Sequence, residues 1–222
     1  MPMENKTVKK IRKIPMFWIL FLGTLPILGL MLLAQPDRTE LNPQQLPWNA
    51  SFDQAGKLHA LGITVPDSTL QDVIDLYGKD VEVKIFSLAD ESEKSLEAYF
   101  PTIYIGTIKA ALALRLNATP EAIEQAYSNG KKTNLTSSGA REVELYSHDV
   151  TSFLHTKISS VTLVPRKSLD ETAISKRFGK HDIKELQTDG LEHWFFYDLG
   201  LELILDKEGP EALQYSNVII QK

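Results

Sequence analysis

The chain contains no cysteine. That excludes disulfides, a thiolate nucleophile, cysteine-based metal sites and the lipid-bearing cysteine of a lipoprotein. Small secreted domains often depend on cross-links, so a cysteine-free body fits a bacterial periplasm. Charge is missing from one stretch, Ile14 to Ala34, which reads IPMFWILFLGTLPILGLMLLA. At about 1.5 Å per helical residue this run extends roughly 32 Å, enough to cross a bilayer core. With no ionisable group inside it, the run offers no proton relay or ion path. Gly-x-Ser-x-Gly, Ser-x-x-Lys, P-loop and dinucleotide fingerprints are also missing. The acidic loop Asp90 to Lys94 lacks the turn glycine of a calcium site. The sequence therefore nominates no catalytic, cofactor-binding or metal-ligating residue, and the chain is expected to be non-enzymatic.

What is present sets an address. Lys6, Lys9, Lys10, Arg12 and Lys13 crowd the N-terminal side of the apolar run. This bias keeps the short tail in the cytoplasm and sends everything after Ala34 across the inner membrane. The rival is a cleaved signal peptide, giving a secreted soluble protein. It is disfavoured by the length of the run and by Leu32, where cleavage after Ala34 wants a small residue. Pro26 is expected to kink the span. The whole-chain net charge of −5 divides into +4 up to Ala34 and −9 beyond it. An acidic exported part is repelled by nucleic acid, so none is expected as a partner.

Five segments follow from these patterns. They are a basic tail (1–13), a transmembrane helix (14–34), a Pro/Gln/Asn-rich linker (35–53) and two α+β regions (54–160 and 161–222). Trp48 and Phe52 in the linker are expected to tuck back onto the body. One unit recurs: a short apolar strand, a Ser/Thr cap and a helix of two or three turns. The clearest copies are Leu61 to Pro66 with a helix from Ser68 to Tyr77, and Val161 to Pro165 with a helix from Ser168 to Phe178. Each pairs its cap with a reciprocal partner, Ser68 with Gln71 and Ser168 with Glu171. Each ends in Gly (Gly78, Gly179). Fainter copies run from Ala113 into a Thr119-capped helix with Pro120 at its first position, and from Glu142 into a Ser147-capped helix reaching His155. The expected fold class is α+β: short capped helices on a mainly antiparallel sheet, with two related halves as one reading.

Further strands are expected at Val81 to Phe86 and at Thr102 to Leu116, where Gly106 marks a bulge or break. Near the C-terminus, His193 to Tyr197 is an aromatic strand, Asp198-Leu199-Gly200 a hairpin loop, and Leu201, Leu203 and Leu205 an alternating strand. A final strand from Leu213 to Ile220 is expected, with a sheet edge as one placement. Trp194, Phe195, Phe196 and Tyr197 are the candidate partner-binding strand: one face must be core, and the other is either covered by a helix or free for a partner. The five histidines are expected in surface or capping roles. His59 is placed in a loop or short helix, His148 and His155 on a short helix, His181 past a helix end, and His193 at a strand start.

Residues Ser168 to Leu213 resemble the half-module of the SmpA/OmlA (BamE-like) envelope lipoprotein family. Arg177-Phe178-Gly179 matches its short helix ending in Gly, Trp194 to Tyr197 its aromatic strand, and Gly200 to Asp206 its hairpin. The resemblance covers about a fifth of the chain and is structural. It implies an envelope-facing α+β binding module and assigns no functional residue. The full-length pattern also resembles single-span membrane proteins of Gram-negative bacteria. Taken together, the reading is a single-pass inner-membrane protein presenting an acidic periplasmic module to another envelope protein. The alternative is an envelope enzyme whose catalytic residues are dispersed in sequence; a His/Ser/Asp or His/Glu group meeting in a cleft would favour it.

Overall fold

Alternation of apolar and polar residues along the strands decides this architecture, because a pleated strand sends successive side chains to opposite faces. A computed structural model describes residues 42–91, 93–136, 139–206 and 209–217. The expected tail 1–13, span 14–34 and start of the linker lie outside the described residues. Among the described residues no helix is long and apolar enough to cross a membrane.

The chain opens with two 3-10 turns, Pro43–Gln45 and Pro47–Asn49, and then β1 (Ser51–Phe52), β2 (Leu58–Ala60) and β3 (Ile63–Val65). Helix α1 (Leu70–Tyr77) leads to β4 (Glu82–Ser87), β5 (Lys94–Ile105) and β6 (Ile108–Leu116). Helix α2 (Pro120–Ser128), β7 (Lys132–Leu135), β8 (Arg141–Glu144), helix α3 (Ser147–Ser152) and β9 (Ile158–Pro165) follow. Helix α4 (Glu171–Phe178), β10 (Ile183–Leu186), β11 (Glu192–Phe196), β12 (Leu201–Leu205) and β13 (Ala212–Ser216) complete the order. β1 to β3 form a small sheet; the others form one ten-stranded sheet in the order β10-β11-β12-β13-β9-β6-β5-β4-β8-β7. The pairings are antiparallel throughout. The α+β class is thus as the sequence indicates.

One row of the large sheet runs Trp194, Leu203, Leu213, Leu163, Leu112 and Phe100, each opposite the next. All six are essentially buried. Each stabilises the fold by about 1.5–3 kcal/mol through burial. The helices cover this face, and Leu70, Val73 and Ile74 of α1, Ile123 and Ala126 of α2, and Ile174 and Phe178 of α4 join the same core. One residue further along every strand, the opposite row reads Phe195, Glu202, Gln214, Thr162, Ala113 and Tyr99. None of these is fully buried.

Several expectations shift. The cap of α1 is Thr69, not Ser68: Thr69 Oγ1 accepts from Asp72 N at 3.4 Å while the Asp72 carboxylate accepts from Thr69 N at 2.8 Å. Ser68 Oγ accepts from Thr64 N instead. The cap of α4 is Asp170, accepting from Ala173 N at 2.7 Å, not Ser168. Thr119 and Pro120 start α2 as expected. Helix α3 follows Tyr146 rather than a Ser147 cap and stops at Ser152, short of His155. Gly106 lies in the tight turn between β5 and β6, and the register shift falls between Phe100 and Ile103. The acidic loop is tied down: Glu91 pairs with Arg141 at 2.6 Å and Lys94 with Glu124 at 2.8 Å.

Two expectations about organisation are corrected by packing. The boundary between 54–160 and 161–222 falls inside β9, which pairs with β6 on one side and β13 on the other. A single core spans both segments. The linker ends earlier than 53, because residues 42–53 lie on the body. Pro47 and Ala50 are buried, and the buried Tyr215 hydroxyl donates to Pro47 O at 2.7 Å. Trp48 meets Phe178 edge-on at 6.3 Å, as its expected packing role requires.

Candidate functional site

The aromatic strand 194–197 does not form a patch. Trp194 and Phe196 point into the core, 2% and 3% exposed, because they share the face of Leu203 and Leu201. Phe178 of α4 packs on Phe196 at 5.9 Å, and His181 lies over Trp194 at 4.8 Å. Phe195 and Tyr197 remain half-buried on the other side. The last strand is no edge either: β13 sits between β12 and β9. The edges are β10, with Leu186 and Ile183 exposed, and β7, with Leu135 exposed.

Among the described residues, all helices that contribute to the core do so on one face of the ten-stranded sheet, so the Phe195–Tyr99 row has none over it. Small residues (Ala113, Thr162) occupy its centre. Larger ones (Phe86, Tyr99, Phe195) and charges of both signs (Glu82, Lys84, Glu97, Arg115, Glu202) surround them. Lys84 bridges Glu82 at 2.9 Å and Glu142 at 3.0 Å, and these hold its ammonium above the usual lysine range.

His193 belongs to this face and departs most from expectation. It is buried, not on the surface. Glu202 Oε1 lies 2.6 Å from its Nδ1 and Asp189 Oδ2 3.1 Å from its Nε2. Carboxylates only accept, so both ring nitrogens must donate, which is the imidazolium form. Burial opposes that charge, but Glu202 and Asp189 outweigh it and raise the His193 pKa above the usual histidine value. Asp189 is lowered, first by the Leu191 amide that it accepts and then by His193. With one carboxylate on each ring nitrogen, the three groups share no point for a cation. No metal-ligating cluster occurs among the described residues.

Of the other histidines, His59 and His155 change element, and His181, past the end of α4, is half-buried against Trp194. His59 is in strand β2, bonded to Asp53 Oδ2 at 3.2 Å and to Thr64 Oγ1 at 3.0 Å. His148 and His155 both border a polar cleft of ≈ 690 Å³ beside α2 and α3, with Asp149 and Ser152. His148 Nε2 is 3.4 Å from Asp149 Oδ1, whose other oxygen is buried without a partner. The Ser152 hydroxyl donates to the Asp149 carbonyl at 2.6 Å, so its proton is directed at backbone rather than at an imidazole.

A second cleft of ≈ 570 Å³ is apolar inside and basic at its mouth. Trp48, Ile108, Pro165, Leu169, Phe178 and Leu213 form its walls; Lys109, Arg166 and Lys167 line its rim. The volume is in the range of small-molecule sites. It forms where the 42–53 segment, the β5–β6 turn, the end of β9 and α4 converge. Buried Glu211 holds one wall by accepting from Leu169 N at 2.9 Å. Arg177 stacks its guanidinium on the Trp48 ring at 4.3 Å and steadies another. No sequence motif marked this cleft, since its residues come from five separate stretches. The one local signal was the Arg166-Lys167 pair directly after the Val164-Pro165 strand end.

No family model, no curated protein and no solved structure matches this chain.

Proposed function

We propose that this is a single-pass inner-membrane protein, cytoplasmic at its N-terminus, whose periplasmic body is a non-catalytic module for contact with another envelope protein. The apolar run 14–34 and its basic flank support the address. The observation that carries the binding role is the uncovered face of the ten-stranded sheet, where aromatic and small residues lie among charges of both signs. Such a mixture is typical of protein contact surfaces, which are no more apolar than the rest of a protein. Of the 194–197 strand it retains Phe195 and leaves out Trp194 and Phe196, which are buried.

Kinship of residues 168–213 with the BamE-like half-module is part of the proposal, as are two related halves. The duplication is supported by topology. Helix α1 precedes β4, β5 and β6, and α4 precedes β11, β12 and β13; the two triplets flank β9 in mirrored order.

A photo-crosslinking residue at Thr162 or Gln214, in the full chain in its own membrane, is expected to capture a protein partner. The same residue at Gln71 or Lys176, on helices, is not. Equal capture from both sets defeats the sheet-face reading. A C-terminal reporter active only in the cytosol defeats the address.

A second reading, an envelope enzyme, is favoured by one observation: the polar cleft gathers His148, Asp149, Ser152 and His155. Under the binding reading, a serine-directed phosphonate probe leaves Ser152 unlabelled. Covalent labelling lost in Ser152→Ala supports the enzyme instead.

A further inference from the structure

We propose that the apolar cleft binds an amphipathic anion, a single long acyl chain ending in a carboxylate or phosphate, with the chain inside and the head at Lys109, Arg166 and Lys167. This goes beyond the protein-contact reading and does not rest on it, because the cleft walls Trp48, Leu169 and Phe178 lie off the uncovered sheet face, although Lys109 shares the strand face of Ala113.

Charge placement is the first support. The part of the chain beyond Ala34 carries −9, so carboxylates outnumber cations there. Lys57, Lys84, Lys94, Lys131, Arg141, Lys157 and Lys184 each hold a carboxylate. Lys109, Arg166 and Lys167 hold none among the described residues, although they stand together at one opening. Arg166 spends one donor on Pro101 O at 2.8 Å, which fixes its side chain and leaves the other guanidinium donors directed elsewhere. Three unpaired cations side by side repel one another, and an anion relieves that repulsion.

The lining is the second support. Apart from the cations and Thr107, the lining is indole, phenyl, proline and aliphatic groups. A compact, fully hydrated anion gains little from them, whereas an acyl chain gains with every methylene that it buries. Glu211, buried behind Leu169, excludes the alternative orientation with the anionic head inside. The rigid elements that build the walls, Trp48 under Arg177 and Leu169 held by Glu211, mean that little ordering is left for the ligand to impose.

The test uses the full chain in its native membrane and two photoreactive probes with a diazirine near the tail. One is a free long-chain carboxylate and the other a phospholipid carrying the same chain. Adducts are mapped by mass spectrometry. Within residues 42–217 the expected result is labelling confined to peptides containing Trp48, Ile108 or Leu169; the apolar run 14–34, in contact with lipid under the membrane reading, is left out of the comparison. An excess of unlabelled long-chain carboxylate competes, and the matching long-chain alcohol does so far less. Labelling by only one probe identifies the source of the chain, free fatty acid or membrane lipid, and supports the site either way. The triple variant Lys109→Gln/Arg166→Gln/Lys167→Gln changes exposed residues only. It is expected to weaken competition by the carboxylate about tenfold or more, with no change for the alcohol. Leu169→Trp, which fills the cleft, is expected to abolish labelling of those peptides by both probes while leaving the thermal transition in place. The proposal is overturned if the alcohol competes as well as the carboxylate, if a short-chain carboxylate competes equally, or if labelling within residues 42–217 spreads beyond the cleft. An unaffected triple variant overturns it as well.

Discussion

Two adjacent rows of one sheet have opposite fates. Trp194, Leu203, Leu213, Leu163, Leu112 and Phe100 are sealed under helices, while Phe195, Glu202, Gln214, Thr162, Ala113 and Tyr99 stay accessible. They are one residue apart on every strand and belong to the same antiparallel ladders. The difference is therefore carried by side chains alone, and the pleat converts a period of two into an inside and an outside. Stability resides in one row, which leaves the other free to vary with function.

The sharpest way to break this comparison is truncation in the buried row. Leu112→Ala is expected to cost about 2–5 kcal/mol in denaturant unfolding. Ala113→Ser, its neighbour on the open face, is expected to stay within about 0.5 kcal/mol. Equal losses would mean that something covers both faces. Tyr215→Phe comes next. It keeps the buried ring and removes the hydroxyl, stranding the Pro47 carbonyl, at about 1–3 kcal/mol. Gly200→Ala should cost a comparable amount. Its φ is +57°, and a Cβ there would lie 2.9 Å from Leu58.

His193 sharpens the comparison, because it is the buried ionisable group of the open face. Its folded pKa is raised above the unfolded value near 6.5, so its contribution is fully present below pH 6.5. The contribution is lost as pH rises through the folded pKa. Unfolding midpoints measured from pH 5.5 upward should therefore fall with pH, and His193→Gln should flatten that part of the profile. A profile unchanged by His193→Gln would show that the imidazolium is not the group responsible. The smallest effect belongs to Lys84→Met. Its two partly exposed ion pairs with Glu82 and Glu142 are expected to contribute less than about 1 kcal/mol, and less again in high salt.

The sequence made some of this legible and not the rest, for physical reasons. β9, β11 and β12 were readable because their apolar alternation is local. The existence of α1, α2 and α4 was readable from apolar spacing and terminal glycines. Their caps were not, because Ser68-Thr69 and Ser168-Leu169-Asp170 each offer two competent residues; at α1, Asp72 decides by answering Thr69. β7, β10 and the first half of β5 are short or charged, and their patterns favour no element. The place of β13 between β12 and β9 depends on pairing Leu213 with Leu163, fifty residues away, which no local pattern encodes. The partners of His193 follow from the hairpin: once Gly200 fixes the turn, His193 faces Ile204, and Glu202 is its diagonal neighbour. The basic-mouthed cleft needed the whole fold.

The insertion of β13 has a consequence for timing. β9 emerges from synthesis well before residues 212–216 and must keep one hydrogen-bonding edge unmatched until that segment arrives, whereas β12 is followed by it almost at once. Because Tyr215 in the same segment also fastens Pro47, a single late event closes the centre of the sheet and clasps the opening turns. Closure of the sheet's centre thus waits for residues 212–216, and in the interval the unmatched edge of β9 is open to chaperone capture.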